Sequence, residues 1–208
     1  MPYRLAVFDF DGTLADSFPW FLGAMNDAAD RYRFRRLEPA EAELLRGHHA
    51  REVIRHVGMP MWKAPLVTRF MRERMARDIG TIPLFAGVDA LLEGLAERGV
   101  GIAIVTSNSE ANVRRVLGPR HAGLVRHYGC GASLFGKRPK LRKVLAASGL
   151  RPEEALCIGD EIRDLHAARA ERMPFGAVSW GFTTLESLLA HSPEEVFTRV
   201  DEILERVG

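Results

Sequence analysis

Four short apolar runs constrain the fold of this chain more than any other feature. They are Leu5-Ala6-Val7-Phe8, Gly101-Ile102-Ala103-Ile104-Val105, Ala155-Leu156-Cys157-Ile158 and Phe175-Gly176-Ala177-Val178. None alternates apolar with polar residues, and none approaches the roughly 20 residues that would span a bilayer. Runs of this kind are strands buried on both faces, as in parallel sheets covered by helices. A weaker candidate lies at Tyr128-Gly129-Cys130, and Val196-Phe197-Thr198 reads either as a short edge strand or as the start of a final helix. Between the runs the period changes. Val88, Leu91, Leu92 and Leu95 recur at helical spacing, as do Leu141, Val144 and Leu145. Strand alternating with helix predicts an α/β sheet wrapped by helices.

The first run waits roughly 90 residues for its next strand, too long for a simple crossover. The stretch 17–81 carries no strand pattern. It offers helical spacings instead, at Phe21, Ala24, Met25, Ala28 and Tyr32, at Val53, Ile54 and Val57, and at Val67, Phe70, Met71 and Met75. Turn signals at Glu38-Pro39, Gly58-Met59-Pro60 and Lys63-Ala64-Pro65 separate them. The expectation is an all-helical insertion at 17–81, with residues 1–16 and 82–208 forming the sheet-bearing core.

Charge adds one discriminating observation. The chain has 29 Lys and Arg against 27 Asp and Glu, a net of +2, too little to argue for nucleic acid as a partner. The stretch 17–81 holds 12 cations and 8 anions, so it carries +4 and the remainder −2. Only four cations are lysines, and three of them, Lys137, Lys140 and Lys143, fall within seven residues. Two cysteines, Cys130 and Cys157, make neither a disulfide framework nor a metal-type spacing. The expectation is a soluble, reduced, cytoplasmic protein with no membrane association, monomeric or homodimeric.

In an open α/β sheet, ligands bind beyond the carboxyl ends of the strands, so the residues following each run are the place to look. The first run ends in Asp9-Phe10-Asp11-Gly12-Thr13, two carboxylates ahead of a glycine turn. Like charges so close raise a pKa or require a cation. A D-x-D-G-T string arises by chance in a chain this long only about once in a thousand. The second run ends in Thr106-Ser107-Asn108-Ser109-Glu110, where Ser107 and Glu110 read as a capping box that leaves the Thr106 hydroxyl beside a helix N-terminus. The lysine cluster follows the weak third strand, and the fourth run ends in Gly159-Asp160-Glu161-Ile162-Arg163-Asp164. The spacing of Asp160 and Asp164 places both on one face of a helix start. Carboxylate, hydroxyl, ammonium and carboxylate together can hold a divalent metal and a phosphoryl group. Ligation by oxygen without nitrogen favours Mg²⁺.

With these four ordered motifs, the chain resembles the haloacid dehalogenase-like hydrolase superfamily, in its phosphoglycolate-phosphatase-like branch. The resemblance spans essentially the whole sequence. It implies a Rossmann-like core with a helical cap inserted after the first motif, and a small phosphorylated metabolite as substrate. It makes Asp9 the nucleophile that becomes phosphorylated, and Asp11 the acid that protonates the leaving oxygen and then the base that activates water. Thr106 and a lysine would hold the phosphoryl oxygens. Asp160 would bind Mg²⁺ with Asp9 and the Asp11 backbone carbonyl, with Asp164, Ser107 and Asn108 in support. Asp11 argues against dehalogenation, which needs no protonated leaving group.

The sequence departs from the family pattern in places. Arg138 separates Lys137 from Pro139, leaving Lys137 or Lys140 as the motif lysine, and the spacing to Gly149 and Asp160 suits Lys137 better. Glu161 stands where a small hydroxyl residue is common, and Glu171-Arg172 replaces a small pair. In the insertion, Arg46, His48 and His49 are candidates for substrate choice. A phosphosugar mutase of the same fold and a non-catalytic phosphate-binding module are the competing readings.

Overall fold

The computed structural model describes residues 3–46, 50–132 and 136–207. In chain order, β1 (Leu5–Phe8) leads into α1 (Phe18–Tyr32), α2 (Pro39–Leu44), α3 (Ala50–His56) and α4 (Ala64–Asp78). Next come α5 (Val88–Glu97), β2 (Gly101–Val105), α6 (Glu110–Ala122), β3 (His127–Gly129) and α7 (Arg138–Ser148). The chain closes with β4 (Ala155–Gly159), α8 (Ile162–Ala170), β5 (Phe175–Val178), α9 (Leu185–Leu189), β6 (Glu195–Phe197) and α10 (Val200–Val207).

All pairings in the sheet are parallel, and the strand order is β3-β2-β1-β4-β5-β6. The apolar runs become strands because the sheet covers both of their faces. Ala6, Phe8, Ile102, Ile104, Leu156 and Ile158 point into one apolar layer with α5, α6 and α10. Leu5, Val7, Ala103, Val105, Ala155 and Cys157 point into the other, against α7, α8 and α9. The period of two thus splits each run between two cores. Phe8, Phe10 and Phe175 are fully buried, and burial of such a side chain is worth about 1.5–3 kcal/mol each. The weak third strand forms one residue earlier than its sequence pattern suggests, and the ambiguous segment near Val196 is an edge strand.

The helical character expected for 17–81 holds, with α1 to α4 between β1 and α5. Ala28, Ala42 and Val67 from these helices and Leu37, Val57 and Met59 from the turns between them form a cluster of their own. Two sequence signals read as turns are helix starts instead. Pro39 and Pro65 occupy the first turns of α2 and α4, where a missing N–H costs nothing. Among the described residues, no helix is long and apolar enough to cross a membrane.

The register sets what the sheet presents at its carboxyl edge. Phe8 lies level with Ile104 on one side and Ile158 on the other. Asp9 therefore emerges between the ends of β2 and β4, with its N–H donating to the Ile158 carbonyl at 2.8 Å. From β1 the chain steps outward to β2 and β3 on one side, then resumes with β4 on the other. This is the switch point at which open α/β sheets open a crevice.

Candidate active site

The loop after β1 turns back on itself at once. The N–H groups of Leu14 and Ala15 both donate to the Phe10 carbonyl, at 3.0 and 2.9 Å, and Gly12 takes φ +81°. That left-handed conformation suits glycine, and a Cβ there would also collide with Asp160 Oδ2 and the Phe182 ring. The turn aims Asp9 inward, leaves Asp11 near the rim, and brings the Thr13 hydroxyl to donate to Asp160 Oδ1 at 2.8 Å.

Three carboxylates converge. Asp9, Asp160 and Asp164 are buried, and each offers an oxygen within 4.8 Å of the others. Asp160 comes from the tip of β4. Asp164 comes from the first turn of α8, which begins only at Ile162. The two therefore meet by a change of backbone direction rather than by sharing a helix face, which corrects the expectation from their spacing. Lys137 stands between Asp9 and Asp164, with Nζ 2.7 Å from an oxygen of each. Burial by itself would lower the Lys137 pKa, but Asp164 and Asp9 outweigh it and leave it raised. Burial, with the charge of Asp9 next, pushes Asp160 up to about 7, and burial raises Asp164 well above the ordinary carboxylate range against the opposing pull of Lys137. One ammonium cannot neutralise three buried carboxylates. The donor set is all oxygen, and it fits a hard divalent cation.

Around this cluster, Asp11 is also raised, to about 6, first by burial and then by Asp9. Asn108 opposes that shift by donating to the Asp11 carboxylate at 3.2 Å. Asn108 is itself held, since its Oδ1 accepts from Ser109 N and Asn112 Nδ2, each at 2.9 Å. Thr106 is buried at the tip of β2, and its hydroxyl accepts from Asn108 N at 3.0 Å. The capping box expected from Ser107 and Glu110 does not form. α6 is capped by Ser109, whose hydroxyl accepts from Asn112 N at 3.2 Å, while Ser107 is exposed. The turn at Thr106–Asn108 takes up the two residues that would have placed Ser107 at the cap.

The lysine cluster resolves by position. Lys137 is the residue just before α7 and enters the carboxylate cluster. Lys140 lies within α7 and donates to the carbonyls of Thr106, at 2.7 Å, and Gly131. Arg138 turns away and pairs with Glu171 at 2.6 Å, and Arg142 pairs with the same carboxylate. The departure at Glu171 thus anchors α7, which Lys137 immediately precedes.

Three contributors carried no assigned role in the sequence. The Phe182 N–H donates to Asp160 Oδ2 at 2.7 Å, and Gly181 leaves no room for a Cβ beside Asp160. Trp180 packs edge-on against Phe85 and donates to the Thr13 carbonyl at 3.1 Å. A backbone N–H has no sequence signature, whereas Thr13, inside the D-x-D-G-T string, and Trp180, two residues past the last apolar run, were open to discovery. Gly181→Ala is expected to destabilise the fold by about 1–3 kcal/mol, as overpacking does. It should also weaken divalent-cation binding, because the added methyl displaces Asp160. Denaturant midpoints with and without Mg²⁺ check both.

Of the substrate-choice candidates, Arg46 reaches the core loop after β5, donating to the carbonyls of Trp180, at 3.3 Å, and Gly181. His48 and His49 lie outside the described residues.

A parallel sheet with acidic strand tips, a buried lysine and a helical segment after β1 defines a class, and the comparisons place the chain in it. Residues 6–178 match the family model described as haloacid dehalogenase-like hydrolase. The chain belongs to that family, in the branch of the phosphoglycolate-phosphatase-like phosphatases. It is 29% identical over 204 residues to a phosphoglycolate phosphatase of Synechococcus elongatus, covering 97% of this chain and 95% of the relative. It is 30% identical over 213 residues to the tyrosine-protein kinase PtkA of Mycobacterium tuberculosis, covering 99% of this chain and 72% of the relative. A haloacid dehalogenase-like family hydrolase from Streptococcus pneumoniae shares the fold with a TM-score of 0.83 at 21% identity, over 98% of this chain and 97% of that one.

Proposed function

We propose that the chain is a Mg²⁺-dependent phosphatase that hydrolyses a small phosphomonoester through a phosphorylated Asp9. The observation that carries this reading is the buried meeting of Asp9, Asp160 and Asp164 around Lys137, with Asp11 two residues from Asp9 and held near neutrality. A carboxylate oxygen of Asp9 attacks phosphorus, and the bond from phosphorus to the leaving oxygen breaks. Asp11 gives its proton to that oxygen. In the second half, Asp11 takes a proton from water, the water oxygen bonds to phosphorus, and Asp9 is released as a carboxylate. A group with a pKa near 6 serves both directions. Covalent transfer divides one difficult step into two easier ones.

Lys137 and the Thr106 hydroxyl orient and neutralise the phosphoryl oxygens. Asp9, Asp160 and the Asp11 backbone carbonyl, supported by Asp164, would hold Mg²⁺, whose contribution when bound is to offset repulsion between the Asp9 carboxylate and the phosphate dianion. We read 17–81 as a cap over this site and 1–16 with 82–208 as the catalytic core, on the separate apolar cluster of α1 to α4. Its +4 charge suits an anionic substrate. Cys130 and Cys157 are both free, and a cytoplasmic setting is part of this reading.

The test is a phosphate-release screen over many phosphomonoesters. Turnover is expected with Mg²⁺, lost in EDTA, restored by added Mg²⁺ and poorly supported by Ca²⁺, whose looser coordination misplaces the nucleophile. Full activity in EDTA would overturn the metal assignment. Transfer of the phosphoryl group to tyrosine without phosphate release would overturn hydrolysis in favour of the activity named in the mycobacterial relative.

A further inference from the structure

Among the described residues, Arg46 of the helical segment reaches the peptide group that holds Asp160. Arg46 follows α2 and is only 22% exposed, with its guanidinium over the Phe18 ring at 5.0 Å and paired with Glu43 at 3.0 Å. From there it donates to the carbonyls of Trp180 and Gly181. The Gly181 carbonyl and the Phe182 N–H belong to the same peptide unit. That unit therefore accepts from Arg46 at one end and donates to Asp160 Oδ2 at the other, at 2.7 Å. The other Asp160 oxygen accepts from Thr13, whose own carbonyl is held by Trp180.

We propose that Arg46 is a positioning residue: it orients the Gly181–Phe182 peptide and so sets the Asp160 carboxylate for the divalent cation. Three features make the coupling stiff. The Gly181 backbone lies so close to Asp160 that a Cβ would overlap it, so the loop cannot shift without moving the carboxylate. Hydrogen bonds in series polarise one another, so a cationic donor on the carbonyl strengthens the N–H bond beyond it. Phe18 and Phe21 both meet the Phe182 ring edge-on, at 5.2 and 5.7 Å, which fixes the loop to α1 on the side facing Arg46. A planar guanidinium can serve two adjacent carbonyls while stacked on an aromatic ring, which a lysine ammonium cannot do equally well. The segment 17–81 thereby acts on the metal site through this peptide, in addition to the cap role proposed above. The metal part of this inference rests on the function proposed above; the loop geometry does not.

The decisive comparison uses the full chain as wild type, Arg46→Met and Arg46→Lys. Methionine keeps an apolar stem over Phe18 and removes every donor. Amide hydrogen exchange at Trp180–Phe182 is expected to quicken at least about tenfold in Arg46→Met and by less in Arg46→Lys. The Mg²⁺ dissociation constant, from calorimetry without substrate, should rise about tenfold and in the same order. Loss of kcat/KM should be equal for a carboxylated and a neutral phosphomonoester. Unchanged exchange and unchanged Mg²⁺ affinity, with KM raised only for the carboxylated substrate, would overturn the proposal and make Arg46 a substrate contact. If Arg46→Met does not fold, the exchange and Mg²⁺ affinity of Arg46→Lys decide alone. Exchange needs neither Mg²⁺ nor substrate. A wild-type chain that bound no Mg²⁺ would thus sink the proposed function, while exchange would still decide whether Arg46 holds the loop.

Discussion

Asp9→Asn is expected to reduce kcat by about four orders of magnitude or more, as loss of a catalytic nucleophile does. The amide is a poor nucleophile and a weaker cation ligand. The fold should survive the change, because Asp9 is one of three crowded carboxylates and Lys137 keeps Asp164 as a partner at 2.7 Å. In EDTA at pH 8 the variant should therefore melt at the wild-type temperature or slightly above it. The rise in melting temperature on adding Mg²⁺ should shrink. Single-turnover kinetics with melting curves tests both halves. A variant retaining more than about a tenth of wild-type kcat would remove Asp9 from the mechanism.

Lys137→Ala carries the second large effect, and here stability and activity fall together. Breaking a buried ion pair by removing one partner costs about 3–5 kcal/mol, because the remaining charges stay buried. The loss should depend on pH. Asp160 and Asp164 already titrate above the ordinary carboxylate range, and without the ammonium Asp164, which Lys137 pulls down, moves higher. An acid whose folded pKa exceeds its unfolded value loses stability as pH rises from the unfolded value, about 4, through the folded one. In EDTA the gap between variant and wild type should thus be small at pH 5 and large at pH 8. Urea midpoints at the two pH values measure it, and an equal gap at both would show that Lys137 does not compensate these carboxylates. The kcat of Lys137→Ala should fall about 100-fold or more, in keeping with removal of a group aimed at developing charge. Lys140→Ala should cost less than about tenfold, through the Thr106 and Gly131 carbonyls that it props.

Much of this chain was legible because the relevant physics is local. A continuous apolar run can satisfy itself only inside a covered parallel sheet, so the strands could be read within a residue or so. Asp9 and Asp160 could be found because each immediately follows such a run, and the carboxyl edge is where ligands bind. The misreadings have local causes as well. Glu38-Pro39 and Lys63-Ala64-Pro65 look alike whether they end a turn or begin a helix. The Ser107 capping box competed with Ser109 two residues on, and the turn at Thr106–Asn108 decided between them.

The sequence by itself determined the layer architecture, the helical stretch after β1 and the four strand tips to which the proposed chemistry is assigned. All of these follow from which residues neighbour one another along the chain. Tertiary structure alone decided which groups meet. Spacing along the chain already favoured Lys137 over Lys140, but its meeting with Asp9, more than 120 residues away, is tertiary: α7 begins one residue after Lys137 and points its later lysine at the Thr106 carbonyl. Tertiary structure also brought the Phe182 N–H to Asp160, and Arg46 to the carbonyl of that same peptide. A backbone group has the same chemistry at every position, so no sequence pattern marks the one that is buried against a carboxylate. Only the packing of α1 and α2 onto the loop after β5 selects it.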